Sequence, residues 1–214
     1  PPFGGSELPV IKQNFPTDLQ SSETADLFLA LIMYRLKDNG RVGVILPDGF
    51  LFGNDDAKIN LKKRMLNAFN LHTIIRLPGS IFSPYTSIDT NILFFDKTGP
   101  TKQTWFYRLD MPEGYKHFSK TRPMKLEHFK PVEEWWNNRH EIQDDAGNYK
   151  SKAYTPQELA DNNYNFDLCG FPTETEEVLP PEELMSKYKE ERVKLNTKID
   201  QTLSKIKALL EEDD

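Results

Sequence analysis

GRVGVILPDGF, residues 40–50, is the stretch that decides the fold, because a short apolar run leads directly into a tight turn. The β-branched content of residues 42–46 and their short length favour a buried strand over a helix. Pro47-Asp48-Gly49 is a turn-forming sequence. Residues 72–77 and 91–95 are apolar runs of the same kind. The sequence therefore predicts three buried strands of one sheet.

Helical patterns precede the first two strands. Residues 25–37 and 57–69 carry apolar side chains at helical spacing, and the first pattern stops at Asn39-Gly40, a typical C-terminal signal. The order helix, strand, helix, strand indicates a right-handed crossover in a parallel sheet. No long helix precedes the third strand, so we expect it to run antiparallel to its neighbours. Residues 105–109 are predicted to add an edge strand.

The second half of the chain has a different character. Residues 111–173 read as an irregular, α-rich extension packed on the unit of residues 1–110, with Trp135 and Trp136 in a short helix. Residues 174–183 are acidic, contain two prolines and are predicted to be a linker. In residues 184–210, apolar side chains recur at intervals of three, four and seven residues. This spacing predicts a long amphipathic helix with a narrow apolar seam suited to subunit assembly.

Composition excludes several classes of protein. Of 214 residues, 37% are hydrophobic and 28% charged, which is not the composition of a disordered chain, and no apolar run is long enough to span a membrane. The single cysteine, Cys169, excludes an internal disulfide and fits a cytoplasmic setting; a packed, unreactive thiol is favoured over a nucleophile. Four scattered histidines predict no metal site.

Charge is unevenly distributed along the chain. Residues 1–110 hold 12 Lys and Arg against 11 Asp and Glu, whereas residues 111–214 hold 15 against 22. If the chain contacts nucleic acid, the first half is therefore the better candidate.

The first residues, Pro1-Pro2-Phe3-Gly4-Gly5, match the second part of the Asn/Asp-Pro-Pro-Tyr/Phe motif of amino-methyltransferases. The amino group of adenine is a poor nucleophile, and two acceptors aimed at its N–H bonds can hold it in line with a methyl donor. The carbonyl of Pro1 would supply one acceptor, Pro2 would stiffen the turn, and Phe3 would stack on a flipped base. Taken alone, the match favours the simpler interpretation, a proline turn ahead of a flexible loop.

Longer blocks of sequence carry a resemblance to a known family. Residues 40–53, 71–86, 90–95, 105–107 and 162–167 resemble, in order and spacing, the modification subunit of type I restriction-modification systems. The resemblance implies an α/β fold: the C-terminal part of a Rossmann-like class I methyltransferase sheet, followed by a long C-terminal helix. The three strands would be its fifth, sixth and seventh.

The resemblance also implies function and partners. The family uses S-adenosylmethionine to make N6-methyladenine in DNA. Two modification subunits assemble with a specificity subunit that recognises the DNA sequence, and a restriction nuclease subunit can join. No membrane is involved, and the C-terminal helix resembles the tail that packs on the specificity subunit.

Parts of the family pattern are missing from this chain. The Asn or Asp before Pro1, the Gly-x-Gly turn and the acidic residue that holds the cofactor's ribose are absent, so no cofactor-binding residue is assigned and we expect the chain alone to be inactive. We also expect a truncated start, which would leave the edge of the strand at residues 42–46 free and promote self-association.

The remaining candidates each have two interpretations. Asp48, Phe82 and Tyr85 follow successive strands and either line the substrate site or serve as turn and loop-packing residues. The basic residues of the second helix either contact the DNA backbone or form a solvated face; they are Lys58, Lys62, Lys63 and Arg64.

Two alternatives to a DNA methyltransferase remain open. One is a non-catalytic assembly or DNA-docking module derived from such a subunit. The other is an amino-methyltransferase acting on RNA or on protein glutamine, which can share the Pro-Pro-aromatic turn.

Overall fold

The computed structural model describes residues 1–172 and 181–212. The chain divides into two compact units, residues 1–172 and residues 173–214. Within the described residues the second unit is a single helix. Of the predicted linker at 174–183, residues 174–180 lie outside the described residues, and the predicted boundary at residue 110 stays a prediction.

A six-stranded sheet forms the centre of the first unit. Its strands in chain order are β1 Arg41–Pro47, β2 Asn70–Arg76, β3 Thr90–Asp96, β4 Thr104–Arg108, β5 Ile142–Gln143 and β6 Tyr149–Tyr154. Their order across the sheet is β1-β3-β2-β4-β6-β5. The three strands predicted from the apolar runs are confirmed, each within two residues of its expected limits.

Strand directions also follow the sequence prediction in part. β3 lies between β1 and β2 and is antiparallel to both, as predicted. β1 and β2 therefore run in the same direction, and their carboxyl ends meet at one edge of the sheet. β1 pairs with β3 alone among the described strands, which leaves its other side at the border of the sheet. A strand at residues 105–109 is confirmed as β4, but its predicted place at the edge is wrong, because β4 pairs with β2 on one side and with β6 on the other.

The hairpin of β5 and β6 is the element that sequence patterns missed. β6 reads YKSKAY, in which lysines obscure the apolar alternation. The Lys152 ammonium lies 4.3 Å from the centre of the Tyr149 ring, and the Lys150 ammonium lies 5.7 Å from that of Tyr107. These lysines cover aromatic surface with their long stems, so a strand that looks polar can still pack on the sheet. A tight turn at residues 144–148 joins the two strands.

The helices are α1 Pro9–Lys12, α2 Thr24–Arg35, α3 Asp48–Phe52, α4 Asp56–Ala68, α5 Lys130–Asn137, α6 Pro156–Asp161 and α7 Pro181–Glu212. Two short 3-10 helices span Thr17–Leu19 and Leu126–Phe129. The helices predicted at 25–37 and 57–69 are confirmed as α2 and α4. α4 begins at a good cap, since the Asp55 carboxylate accepts a hydrogen bond of 3.0 Å from the Lys58 backbone N–H.

Side chains from the two faces of the sheet form two separate cores. Leu93 and Phe106 belong to the larger core, which packs against α2 and α4. Ile75 and Tyr107 belong to the smaller core, which is covered by Trp135 of α5. The Trp135 ring centre lies 4.7 Å from that of Tyr107. Helices on both faces of the sheet give the layered α/β architecture that was predicted.

The long helix α7 contains the predicted amphipathic segment at 184–210. Apolar side chains at Tyr188, Leu195, Ile199 and Leu203 are exposed. Three members of the predicted seam, Leu184, Ile206 and Leu210, have side chains outside the described set. No helix within residues 1–172 or 181–212 has the length and apolar character of a membrane span.

The larger core predicts a strong cost for truncation at its centre. Leu93 is fully buried, so Leu93→Ala should lower the free energy of unfolding by about 2–5 kcal/mol, through loss of apolar packing and a residual cavity. Leu126→Ala, at a side chain that is 79% exposed, should change it by less than about 0.5 kcal/mol. Urea unfolding of the purified chain measures both, and equal effects would contradict this assignment of the core.

Candidate active site

The Pro1–Gly5 turn lies against the first turn of α2. The Gly5 carbonyl accepts a hydrogen bond of 3.0 Å from the Thr24 backbone N–H, and Ser6 forms a β-bridge with Glu23. A Cβ on Gly5 would come within 2.8 Å of Thr24 Oγ1, and Gly4 has a φ of +68°, a left-handed conformation that favours glycine. The two glycines therefore allow the turn to sit this close to the helix.

Phe3 meets the loop that follows β2. Its ring centre lies 5.8 Å from that of Phe82, with an angle of 64° between the rings. This is the edge-to-face arrangement that aromatic pairs prefer. Both rings are half-buried, whereas Tyr85 in the same loop is 87% exposed. The structure thus brings together Phe3 and Phe82, which are 79 positions apart in the sequence, and leaves Tyr85 facing solvent.

Asp48 joins two loops at the same edge of the sheet. Its Oδ1 atom accepts hydrogen bonds of 2.9 Å from Arg76 Nη2 and 2.9 Å from Asn91 Nδ2. Its backbone N–H donates to the Asp89 carbonyl at 2.8 Å. Asp48 therefore does more than form the turn after β1, because it links that turn to the end of β2 and to the residues that open β3.

Arg76 is the centre of this ionic cluster. Its side chain is only 5% exposed, and besides Asp48 it donates from Nη1 to Asp167 Oδ1 at 2.8 Å and to the Leu168 carbonyl at 3.1 Å. Burial, and then the negative charge of Asp48, raise the pKa of the nearby Asp89 carboxyl, against the opposing effect of Arg76. Sequence analysis missed Arg76, which lies within an apolar run and matches no motif of its own.

Two of the four basic residues proposed for DNA contact are buried, and for them the prediction is wrong. The Lys58 ammonium lies 2.7 Å from Glu23, 3.0 Å from Asp26 and 3.1 Å from Asp55. Burial opposes the charge, but the hydrogen bond to Glu23 and the charge of Asp26 raise the pKa of Lys58 above its ordinary range. Lys58 ties α4 to the start of α2 and cannot reach a phosphate.

Lys62 is the second correction. It is fully buried, and its ammonium donates to the carbonyls of Leu51 at 2.7 Å and Gly53 at 2.9 Å. The same ammonium lies over the rings of Phe50 and Phe166, at 5.5 and 5.3 Å from their centres. Burial lowers the pKa of Lys62 to about 8. Lysines at these helical positions looked solvent-facing in the sequence, because the carbonyls and rings that receive them come from distant segments.

The other two basic residues of α4 contact side chains from segments other than the Phe3 turn and the Phe82 loop. Arg64 is exposed and pairs with Asp18 at 2.9 Å, and the Lys63 ammonium lies 5.1 Å from the centre of the Tyr164 ring. A DNA contact by these two residues stays a prediction.

An apolar groove of about 830 Å³ lies at the other edge of the sheet, where β2 begins and β3 ends. Its lining includes Met33, Tyr34, Phe69 and Lys97. The groove shares no residue with the turn that holds Phe3 or with the loop that holds Phe82. The candidate active site is the surface at the carboxyl ends of β1 and β2, where Phe3 meets Phe82.

Other reactive groups do not change this assignment. Burial raises the pKa of Cys169 to about 11, which fits a packed thiol and not a nucleophile. Within residues 1–172 and 181–212, no three His, Cys, Asp or Glu side chains are placed to hold a metal ion.

The comparison with protein families is decisive. The model of the family described as N-6 DNA Methylase matches residues 1–178. The chain belongs to this family. This match, together with the relatives and solved structures below, confirms the resemblance to the modification subunit of type I restriction-modification systems that the sequence blocks carry, and with it the fold class.

Curated relatives of this N-6 DNA methylase chain are subunits of type I restriction enzymes. The chain is 43% identical over 203 residues to the EcoEI methylase subunit of Escherichia coli, covering 91% of this chain and 40% of that relative. It is 31% identical over 144 residues to the EcoKI methylase subunit of Escherichia coli K12, covering 62% of this chain and 26% of that relative. The chain thus spans less than half the length of either.

Solved structures agree. A modification subunit of a putative type I restriction enzyme from Vibrio vulnificus YJ016 superposes with a TM-score of 0.68 at 43% identity, covering 74% of this chain and 33% of that one. A structure that addresses complex assembly and conformational transition of the type I R-M system gives a TM-score of 0.70 at 34% identity, covering 100% of this chain and 44% of that one.

Membership in a DNA methylase family implies use of S-adenosylmethionine in general. The glycine-rich turn that approaches the cofactor follows the first strand of this fold. The resemblance makes β1 the fifth strand, so the Pro47 turn between β1 and α3 is a different turn. The one carboxylate at that turn, Asp48, is already bonded to Arg76 and Asn91. We therefore assign no cofactor contact to residues 1–172 or 181–212.

The buried ionic cluster predicts that Arg76 contributes strongly to stability. Arg76→Met should lower the free energy of unfolding by about 2–3 kcal/mol, because it removes charged hydrogen bonds to Asp48 and Asp167, whose carboxylates keep partial access to water. Arg64→Met removes an exposed ion pair and should cost no more than about 1 kcal/mol. Urea unfolding of both variants checks the contrast, and a cost for Arg76→Met as small as for the control would contradict it.

Lys62 predicts a pH dependence of stability in the alkaline range. Its pKa is lowered from 10.5 to about 8 by burial, so between these values the unfolded chain binds a proton that the folded chain lacks. Stability should therefore rise with pH across this window, by at most about 1.4 kcal/mol per pH unit. Thermal unfolding of the wild type and of Lys62→Met at pH 7.5–10 isolates the effect, which the variant must lack.

Proposed function

We propose that this chain is the part of a type I modification subunit that completes the adenine site, and that the whole subunit transfers a methyl group to N6 of adenine in DNA. The contact between Phe3 and Phe82 carries the proposal. It joins the Pro-Pro-aromatic turn to the loop after β2, at the sheet edge where open α/β proteins bind ligands. The relatives' description as methylase subunits of type I restriction enzymes supports the same reaction.

Each residue of the turn has a proposed role. The carbonyl of Pro1 accepts a hydrogen bond from the adenine amino group, and Pro2 holds that carbonyl in place because its ring restricts the backbone. Phe3 stacks on an adenine that has been flipped out of the duplex. The edge-to-face contact with Phe82 keeps the Phe3 ring in one orientation.

S-adenosylmethionine would supply the methyl group. Residues of the subunit outside those described would bind this cofactor. The polar residue that precedes Pro1 in the family motif would supply the second acceptor for the amino group. Neither element lies within residues 1–172 or 181–212, so methyl transfer is proposed for the whole subunit. We infer that the protein is cytoplasmic because its proposed substrate is DNA.

Asp48 has a positioning role in this proposal. Its Oδ1 atom already accepts two hydrogen bonds, so it is poorly suited to act as a base towards the substrate. It joins the turn after β1 to the ends of β2 and β3, from which the loop of Phe82 projects. Tyr85, which is exposed in that loop, is proposed to face the DNA.

A second role, in assembly, is supported by α7. This helix of 32 residues exposes apolar side chains at Tyr188, Leu195, Ile199 and Leu203, a spacing that suits packing against other helices. We propose the specificity subunit as that partner, in an assembly with a second modification subunit that the restriction nuclease subunit can join. The relative with a structure concerned with complex assembly of a type I system supports this role. A purely non-catalytic module would keep this assembly role and lack methyl transfer.

Substitution of Phe3 tests the catalytic proposal. In the full-length subunit, assembled with its partners, Phe3→Ala should lower kcat/KM for transfer of labelled methyl groups to DNA by about 10- to 100-fold, since base stacking is worth about 1–3 kcal/mol. Phe3→Tyr should restore most of the activity. Phe28→Ala, at a half-exposed aromatic residue of α2, serves as the matched control and should match the wild type.

The outcomes separate the candidate functions. Labelled N6-methyladenine in wild-type product, with the loss confined to Phe3→Ala, supports the proposal. An assembled wild-type complex that never methylates adenine in DNA would favour the assembly module. Methylation of RNA or of protein glutamine in its place would favour the remaining alternative.

A further inference from the structure

A compact basic hairpin, formed by residues 115–125, projects from the segment between β4 and α5. At its tip Ser119 and Arg122 exchange two backbone hydrogen bonds of 3.1 Å, which encloses Lys120 and Thr121 in a tight turn. The Ser119 hydroxyl adds contacts to the Thr121 hydroxyl and to the Arg122 backbone N–H. The charged tip therefore has a defined backbone.

An aromatic platform supports the hairpin. Phe118 is fully buried, and its ring centre lies 5.5 Å from that of Tyr115 and 5.7 Å from that of His128. The Arg122 guanidinium lies 3.7 Å from the centre of the Tyr115 ring and donates to the Gly114 carbonyl at 3.2 Å. Stacking on one face leaves the rest of this planar cation available, and it loses little entropy on binding an anion.

The hairpin is basic within an acidic half of the chain. Residues 111–130 hold five Lys and Arg against two Glu, whereas residues 131–214 hold 10 against 20. Lys116, Lys120 and Arg122 are exposed, and within the described residues none of them has a carboxylate in ion-pair range. The net charge of the whole second half hid this local excess, so a comparison of the two halves did not identify these residues as candidates for DNA contact.

One hydrogen bond connects the hairpin to the candidate active site. The Phe118 backbone N–H donates to Ser80 Oγ at 2.8 Å. Ser80 belongs to the loop after β2, two positions before Phe82, whose ring contacts Phe3. The hairpin is thus attached to the same loop that places the proposed stacking pair.

We propose that the basic hairpin binds the phosphate backbone of DNA beside the adenine held at Phe3, with Lys116, Lys120 and Arg122 as the contacting residues. The inference rests on the proposed function for the identity of the polyanion. Cations that are exposed, held on a rigid support and unpaired suit phosphates, and such contacts orient a duplex without reading its sequence. This role replaces the one predicted for Lys58 and Lys62, which are buried.

The decisive experiment measures the salt dependence of DNA binding by the full-length subunit in its complex. The test variant combines Lys116→Gln, Lys120→Gln and Arg122→Gln. The control removes the same charge from exposed residues at the opposite edge of the sheet, by Lys37→Gln, Arg41→Gln and Lys102→Gln. Fluorescence anisotropy with duplexes that contain or lack the target site gives the slope of log K against log salt concentration.

The expected result is a slope reduced by about 0.9 for each phosphate that the variant no longer neutralises, thus by up to about 2.7, on both duplexes. The control variant should keep the wild-type slope. The double variant Lys116→Gln, Lys120→Gln leaves Arg122 on Tyr115, and its slope should fall by up to about 1.8 with an unchanged melting temperature. It guards against a loss of binding that comes from a misfolded hairpin.

Each other outcome has a definite meaning. Wild-type slopes in both hairpin variants would overturn the inference. Variants that bind DNA with the wild-type slope but no longer assemble with the other subunits would also overturn it. That result would indicate that the hairpin contacts a protein partner. A wild-type complex that does not methylate DNA, together with reduced slopes in the hairpin variants, would support this inference and reject the proposed activity. Normal methylation with unchanged slopes would do the reverse.

Discussion

The buried guanidinium of Arg76 is the interaction on which the functional edge of this protein depends. It stands at the end of β2 and bonds to Asp48 after β1 and to Asp167 close to the end of the first unit. An arginine can join several acceptors at once because its five N–H donors form a rigid fork. A buried charge of this kind is tolerated only when its partners are in place, so three distant segments must come together for the edge to form.

Two buried lysines show how the surroundings set the behaviour of the same side chain. Lys58 is surrounded by three carboxylates, and its pKa rises despite burial. Lys62, four positions along the same helix, has carbonyls and aromatic rings for neighbours, and burial lowers its pKa. Both lysines connect α4 to other segments, Lys58 to the start of α2 and Lys62 to the turn after α3. Polar side chains therefore organise much of the structure next to the candidate site.

Several functional elements meet at one edge of the sheet. The turn of Phe3, the loop of Phe82 and the basic hairpin are connected by an aromatic contact of 5.8 Å and a hydrogen bond of 2.8 Å. The strands themselves supply few of the exposed groups, but their carboxyl ends set where the loops start. A layout of this kind lets the stable layers of an α/β fold hold a surface that is built from loops.

The sequence by itself determined the strands β1 to β3, the helices α2 and α4, and the Pro-Pro-aromatic motif, because periodicity and turn chemistry are properties of neighbouring residues. It also carried the family, since the blocks at residues 40–53 and 71–86 keep their order and spacing. Only the tertiary structure decided which lysines of α4 are buried, that β4 is interior, and that Phe3 meets Phe82. These facts depend on contacts between residues far apart in the chain, and no local pattern encodes which distant carbonyl, carboxylate or ring a side chain will meet.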